Sequence, residues 1–333
     1  MYAWIGTIVA GMLAGSFVIP SKKIKRLQWD QTWLVYCVVA LVLLPLLAVF
    51  VVSPGLYSAS IGRNPGVALK VMACGAGWGL GAFLYALSIA RIGFSMANAI
   101  VCGAVILIGS VSPLFVGGAK LGEGEIGRLI LGLSLLVLGI ALCAVASIMR
   151  DRHKEAAGTA KTSLGAAVAG VMVALLSGIF SALLNTGFAY GGILITDAVA
   201  AGFSPVQASL AVWLPALLGG FAVNLLATAR KITKAQGWGL FQGAPTQDWV
   251  RALSLGLIWF SASMLYGICT TALGSAGTVY GWAVYMGVAI LTSTFWGFVT
   301  GEWRNAGLAP RLVMVTGVAL FIVAFVTIAG QSK

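Results

Sequence analysis

Long stretches without a charged residue dominate the pattern of hydrophobic and polar positions along this chain. A membrane-spanning helix needs about 20 predominantly apolar residues. Eight of the nine charge-free stretches therefore predict one span each. The ninth, Ala252–Gly301, is long enough for two spans joined at the small-residue turn Ala272–Gly277, which makes ten. The stretches are Tyr2–Ser21, Gln31–Gly62, Val71–Ala90, Ile92–Ala119, Leu129–Met149, Thr162–Thr196, Ala198–Ala229, Ala252–Gly301 and Leu312–Ser332.

The composition agrees with this pattern. Apolar residues make up 60% of the 333 positions and charged residues only 8%, whereas soluble domains carry about 25% charged residues. A soluble domain with so few charges could not cover its own surface. We therefore predict an all-α polytopic membrane protein with ten transmembrane helices.

The net charge of +12 is explained by orientation in the membrane rather than by nucleic-acid binding. Basic residues concentrate in cytoplasmic loops, and here the connections after odd-numbered spans hold fifteen of them against five elsewhere. We therefore predict a bacterial inner-membrane protein with cytoplasmic odd-numbered connections and both termini in the periplasm. The fifteen are Lys22, Lys23, Lys25, Arg26, Arg91, Arg150, Arg152, Lys154, Lys161, Arg230, Lys231, Lys234, Arg251, Arg304 and Arg311, and the five are Arg63, Lys70, Lys120, Arg128 and Lys333.

The two halves of the chain show an internal repeat. A polar central loop at 150–163 separates a first five-helix unit at 1–149 from a second at 164–333. Because each unit has an odd number of spans, the two would be inverted, an architecture typical of secondary transporters. The alternative is similarity through shared membrane composition. A register of 181 residues pairs Gly75 with Gly256, Trp78 with Trp259, Tyr85 with Tyr266, Gly93 with Gly274, and Ser112 with Ser293.

Polar and aromatic residues form stripes on particular spans. Such stripes are typical of a wet cavity in which flat rings stack on a sugar while hydroxyls and amides hold its oxygens. The alternative is interfacial anchoring of aromatic side chains, which does not explain why serine and threonine share the same helical faces. The predicted substrate-binding residues are Trp78, Tyr85, Asn98, Asn185, Trp259, Tyr266, Trp282 and Tyr285.

Spans 5 and 10 are almost purely aliphatic. They are predicted to be lipid-facing or packing helices, and they also offer a surface for a homodimer. The five cysteines lie within spans and show no metal-ligand spacing. We therefore expect neither a metal nor another cofactor, and no enzyme motif occurs.

All eight acidic residues lie in connections or at span ends. An intramembrane carboxylate commonly marks a proton relay or a cation site, so this distribution argues against an exporter of cationic drugs. If transport is coupled to protons, the candidates are Glu302, after span 9, and Asp197, between spans 6 and 7. Glu302 could instead simply pair with Arg304 or another basic loop residue.

Five short stretches, in order along nearly the whole chain, resemble those of a known family. They are Pro20-Ser21-Lys22-Lys23-Ile24-Lys25, Gly77-Trp78-Gly79-Leu80-Gly81, Gly93-Phe94-Ser95-Met96, Gly178-Ile179-Phe180-Ser181-Ala182, and Glu302-Trp303 with Asn305-Ala306-Gly307. In these stretches, in length and in helix count, the chain resembles the L-rhamnose–proton symporter family of the drug/metabolite transporter superfamily.

The resemblance implies two inverted five-helix repeats, with spans 1–4 and 6–9 around a central cavity and spans 5 and 10 at the periphery. It further implies proton-driven uptake of L-rhamnose or a related 6-deoxy sugar. One segment differs: where the family has an aspartate flanked by tyrosines early in span 9, this chain has Gly277-Thr278-Val279-Tyr280-Gly281. The proton carrier and the exact sugar stay open at this point.

Three classes of function are compatible with these observations. The first is a sugar–proton symporter, and the second is a facilitator or exporter of another small neutral metabolite in the same fold. The third is a membrane protein that transports nothing, which the polar stripes disfavour. The resemblance favours the symporter, and the missing intramembrane acid favours the second class.

Overall fold

The computed structural model describes residues 2–116, 118, 121–154, 164–274, 277–304 and 306–329. Within these residues ten helices are long and apolar enough to cross a membrane, which confirms the predicted number. The helices are α1 (Tyr2–Ser16), α2 (Trp29–Val52), α3 (Pro65–Ile92), α4 (Phe94–Val116), α5 (Glu123–Lys154), α6 (Leu164–Tyr190), α7 (Pro205–Lys234), α8 (Thr246–Ala272), α9 (Gly277–Val299) and α10 (Leu308–Ala329).

Some boundaries differ from the predicted ones. Helix α5 continues through Lys154, so the predicted central loop begins later than residue 150. The remainder of that loop, 155–163, lies outside the described residues, as do the hinge positions 275 and 276 and the C-terminal Lys333. Asp197 lies within a short helix, Gly192–Ala200, that connects α6 to α7.

Prolines mark the irregular points of the spans. Helix α2 contains two π-helical segments, Val39–Leu43 and Ala48–Val52, on either side of Pro45. Proline lacks the N–H that would bond the carbonyl four residues earlier, so the backbone ladder is interrupted there. Pro113 and Pro215 lie inside α4 and α7 and interrupt those ladders in the same way.

The described parts of the connections between spans lie at two opposite ends of the bundle. We call the end that carries the odd-numbered connections the odd face and the other end the even face. At the odd face, Asp248 at the start of α8 accepts a 2.7 Å hydrogen bond from the backbone N–H of Arg26 in the first connection. At the even face, the side-chain amide of Asn64 donates to Asp197 at 2.7 Å. Each end is thus tied together across the two halves of the chain.

Glycines allow a close crossing between the two halves, where α3 meets α7. A Cβ added at Gly75 would overlap the carbonyl of Ala216, and one added at Gly219 would overlap the carbonyl of Met72. Without a hydrophobic drive between helices in lipid, small residues make such close packing favourable. The two halves therefore meet backbone to backbone at this crossing.

The aliphatic helices α5 and α10 pack on each other, as expected for packing helices. Gly139 and Gly317 face one another, and a Cβ at Gly139 would lie 3.0 Å from the carbonyl oxygen of Gly317. Neither helix is wholly peripheral, however. Ser147 and Arg150 near the C-terminal end of α5, and Met314 of α10, line the central cavity described next.

Candidate functional site: a cavity open at one face

A cavity of about 850 Å³ lies among the helices and opens at the odd face. The described residues that line it come from the halves of α1, α2, α3, α4, α5, α7, α9 and α10 nearest the odd-numbered connections, or from those connections themselves. Helices α6 and α8 contribute no described residue to the lining. The cavity is thus one-sided and ends against a packed layer toward the even face.

Two hydrogen-bonded pairs supply polar groups in this cavity. The hydroxyl of Tyr85 on α3 donates to Oδ1 of Asn98 on α4 at 2.8 Å. The indole N–H of Trp33 on α2 donates to Oδ1 of Asn224 on α7 at 3.1 Å. All four residues line the cavity. Their rings and amides give it both flat apolar surfaces and hydrogen-bonding atoms.

Charged residues line the mouth of the cavity. Lys22 Nζ lies 2.8 Å from Glu302 Oε1, and Arg150 lies 3.9 Å from the other carboxylate oxygen. The Arg150 guanidinium also stands 4.8 Å from the ring centre of Trp303. The hydrogen bond from Lys22 is the main reason why the pKa of Glu302 lies below the ordinary value for glutamate. Glu302 is therefore ionised at neutral pH in this conformation.

The layer that closes the cavity toward the even face is centred on Asn185 of α6, which is 1% exposed. Its Oδ1 accepts a 2.5 Å hydrogen bond from the hydroxyl of Tyr266 on α8. Its Nδ2 donates to the carbonyls of Gly109 on α4 and Thr278 at the start of α9, each at 2.8 Å. Pro113 has no N–H to offer the Gly109 carbonyl. Asn185 thus satisfies a carbonyl that a proline has freed, and it joins four helices.

Aromatic rings pack together in this layer. The rings of Tyr266 and Tyr285 are 4.7 Å apart between centroids, and Trp282 lies 5.7 Å from Tyr285. The indole N–H of Trp282 donates to the carbonyl of Val105 at 3.1 Å. A Cβ at Gly109 would overlap that indole, so the glycine lets α9 lie against α4.

The two tryptophans that the 181-residue register pairs, Trp78 and Trp259, stack on each other. Their ring centroids are 5.5 Å apart and the ring planes differ by 19°. Trp259 also meets the edge of Tyr36 at 5.8 Å. This stack joins α3 of the first half to α8 of the second. The inverted relation between the halves stays a prediction.

The structure therefore divides the eight predicted substrate-binding residues into two groups. Tyr85 and Asn98 line the open cavity. Trp78, Asn185, Trp259, Tyr266, Trp282 and Tyr285 lie in the packed layer and make the contacts given above. Of the two predicted proton-coupling residues, Glu302 lies at the cavity mouth and Asp197 lies at the opposite face, bonded to Asn64.

Sequence reasoning missed Trp33 and Asn224, the second hydrogen-bonded pair of the cavity. A signal was available for Asn224, because an amide side chain is unusual within an otherwise apolar span. Trp33 lies near the start of its span, where a tryptophan ordinarily indicates interfacial anchoring. Only the fold brings its N–H to Asn224.

Comparison with known proteins identifies the family. The model of the L-rhamnose-proton symport protein family matches residues 2–332. This chain belongs to that family. It is 24% identical over 326 residues to the L-rhamnose-proton symporter of Klebsiella pneumoniae (strain 342), which covers 95% of this chain and 94% of the relative. The same figures hold for the L-rhamnose-proton symporter of Escherichia coli (strain 55989 / EAEC).

Membership of the symport protein family confirms two predictions. The chain is a transporter rather than an enzyme, and its ten apolar helices make it a multi-pass inner-membrane protein. The wider superfamily assignment and the homodimer stay predictions.

Proposed function

We propose that this protein imports L-rhamnose or a related 6-deoxy sugar together with protons, by alternating access. The observation that carries the proposal is the one-sided cavity, lined by aromatic and amide side chains and closed at its other end. The family model and the names of both relatives support the sugar and the proton. An inverted five-helix repeat would let the halves rock about the crossing of α3 and α7.

The cavity suits a small neutral sugar. Tyr85 and Asn98 offer hydrogen-bonding atoms to sugar hydroxyls, and Trp33 offers an indole near the same space. A 6-deoxy sugar has an apolar methyl group and C–H faces that pack against such rings. The other six predicted residues would line the pathway once the packed layer opens.

The orientation follows from the basic residues. With the odd face in the cytoplasm and both termini in the periplasm, the cavity would be open to the cytoplasm. Reporter fusions after Lys333 and in the central loop test this assignment. A cytoplasmic signal at Lys333 would reverse the orientation without changing the number of spans.

For proton coupling, Glu302 and Asp197 are the proposed carriers. In the conformation open to the odd face, the hydrogen bond from Lys22 lowers the pKa of Glu302 and so favours its ionised form. A carboxyl group that loses its proton in that state would release the proton to the cytoplasm. The competing function is a facilitator or exporter of another neutral metabolite, which the missing acid at Gly277–Gly281 favours.

Uptake of labelled L-rhamnose into proteoliposomes, with and without an inward proton gradient, tests the proposal. We expect the wild type to accumulate the sugar when the gradient is present. Asn98→Ala should reduce sugar binding. Tyr57→Phe, a change at the periphery, serves as the control. Uptake that only equilibrates, whatever the gradient, would indicate a facilitator. No uptake of any 6-deoxy sugar would contradict the proposed substrate.

The carriers are tested separately. Sugar added to a weakly buffered cell suspension should make the medium more alkaline, and Glu302→Gln or Asp197→Asn should abolish this signal. If alkalinisation persists in both variants, the proton binds elsewhere.

A further inference from the structure

Two tyrosines at corresponding positions of the 181-residue register, Tyr85 and Tyr266, make the same kind of hydrogen bond. Each hydroxyl donates to the side-chain carbonyl of an asparagine on another helix, Asn98 for the first and Asn185 for the second. The asparagines themselves do not share the register, since one comes from α4 and the other from α6. The molecule therefore carries two tyrosine–asparagine pairs of similar chemistry, one in each half.

The two pairs differ in exposure. The Tyr85–Asn98 pair lines the cavity open at the odd face. The Tyr266–Asn185 pair is buried near the even face, where each residue is 1% exposed. The side-chain amide of Asn185 also donates to the carbonyls of Gly109 and Thr278.

An additional polar group lies beside the buried pair. Trp213 of α7 is 2% exposed, and its indole N–H makes no hydrogen bond to any described residue. This N–H lies against α8 at Gly267, where a Cβ would overlap it, and the Trp213 ring is 6.5 Å from that of Tyr266. A buried donor without a partner costs free energy, so a ligand that accepted its hydrogen bond would be favoured there.

We propose that Tyr266, Asn185 and Trp213 form a second sugar half-site, closed in this conformation and exposed at the even face in the alternate one. Tyr85 and Asn98 form the corresponding half-site on the odd face, and the Trp78–Trp259 stack lies between the helices that carry the two tyrosines. Sugar that enters from the even face initially binds the half-site of Tyr266, Asn185 and Trp213. It then leaves from the half-site of Tyr85 and Asn98. This inference rests on the proposed function of sugar transport by alternating access.

The first test needs no sugar. In a variant whose only cysteine is Cys102, which lines the cavity, a membrane-impermeant maleimide should react from the odd face. In a cysteine-free variant with Thr270→Cys, one turn from Tyr266 and buried here, the reagent should react only from the even face, and slowly. Adding Asn185→Ala to each should raise labelling at 270 and lower it at 102, both at least threefold. Unchanged labelling at both positions in folded Asn185→Ala protein would overturn the alternating half-sites.

The second test uses substitutions that keep the ring in place. Half-saturation for L-rhamnose exchange is measured from each face in vesicles of known orientation. Tyr266→Phe should raise the value at least fivefold at the even face and less than twofold at the odd face, and Tyr85→Phe should do the reverse. Tyr57→Phe, outside both pairs, should leave both values unchanged. Equal changes at both faces for each variant would indicate one shared site and overturn the proposal.

The two tests separate this inference from the proposed function. If the wild type transports no 6-deoxy sugar but the labelling at 102 and 270 is reciprocal, the substrate assignment fails and only the alternating exposure of the two positions stands. If sugar uptake is intact and labelling is not reciprocal, the proposed function stands and the second half-site is only structural packing.

Discussion

The pair Tyr85–Asn98 and the pair Tyr266–Asn185 make the same kind of hydrogen bond in two different environments, an open cavity and a packed layer. In both, a tyrosine hydroxyl donates to an asparagine carbonyl. The bond to Asn98 faces the open cavity. Asn185, in contrast, also donates to two backbone carbonyls, one of which lacks a helical partner because of Pro113. The difference teaches that a proline in one span can free a backbone carbonyl, which a polar side chain of another span then bonds. That side chain thereby acquires a structural role.

The largest expected effect comes from making the same substitution in both pairs. Asn185→Leu leaves three buried hydrogen-bonding groups without a partner and should lower the free energy of unfolding by about 2–4 kcal/mol. Asn98→Leu should lower it by less than about 1 kcal/mol, because water in the cavity can replace its bonds. Denaturant unfolding in detergent measures both. Equal losses would show that the two pairs do not differ in this way.

Glycines on α4 provide the next comparison. Gly109→Ala should destabilise the protein by about 1–3 kcal/mol, because its Cβ would overlap the Trp282 indole in the sealed layer. Gly103→Ala on the same helix meets nothing within 4 Å and should be neutral or stabilising by up to about 1 kcal/mol. Thermal unfolding of the two variants is the measurement. A Gly109→Ala protein as stable as the wild type would mean that α9 is not held tightly against α4.

A substitution at Pro113 tests whether the freed Gly109 carbonyl explains the role of Asn185. In Pro113→Ala the restored backbone N–H can bond the Gly109 carbonyl, so Asn185→Leu should then cost less. We expect a coupling free energy of about 1 kcal/mol in a double-mutant cycle. Additive effects would show that the freed carbonyl contributes nothing to the role of Asn185.

The smallest effect is expected at the cavity mouth. Glu302→Gln should change the free energy of unfolding by less than about 1 kcal/mol at neutral pH, because the Lys22–Glu302 pair is exposed. Since folding lowers the pKa of Glu302 from 4.5, the contribution is present above that pH and is lost as the pH falls through the lowered value. Unfolding midpoints of wild type and variant should therefore converge as the pH falls well below 4.5. A difference that grows on acidification would contradict this assignment.

Much of the fold could be predicted from local pattern. The charge-free stretches predicted ten spans because each helix must satisfy its own backbone in lipid and must be about 20 residues long. The predicted ends of the helices were less accurate. Helix α5 runs to Lys154 because charged residues outside the hydrocarbon do not stop a helix.

The candidate site was only partly predictable. Helical periodicity placed Tyr266 on a polar face of α8 and Tyr85 on α3, but both faces looked alike in sequence. The pairing of Trp33 with Asn224 and of Lys22 with Glu302 joins residues far apart in the chain. No local pattern encodes such contacts.

The sequence by itself determined that this chain crosses a membrane ten times, which helices carry polar faces, and the family to which it belongs. Those features follow from hydrophobicity and spacing within single segments. Only the tertiary structure decided which polar face is open and which is sealed. That choice depends on packing between helices. Asn185 is buried where Gly109, Thr278 and Tyr266 converge on it. Asn98 faces the cavity because the halves of the bundle leave space beside it.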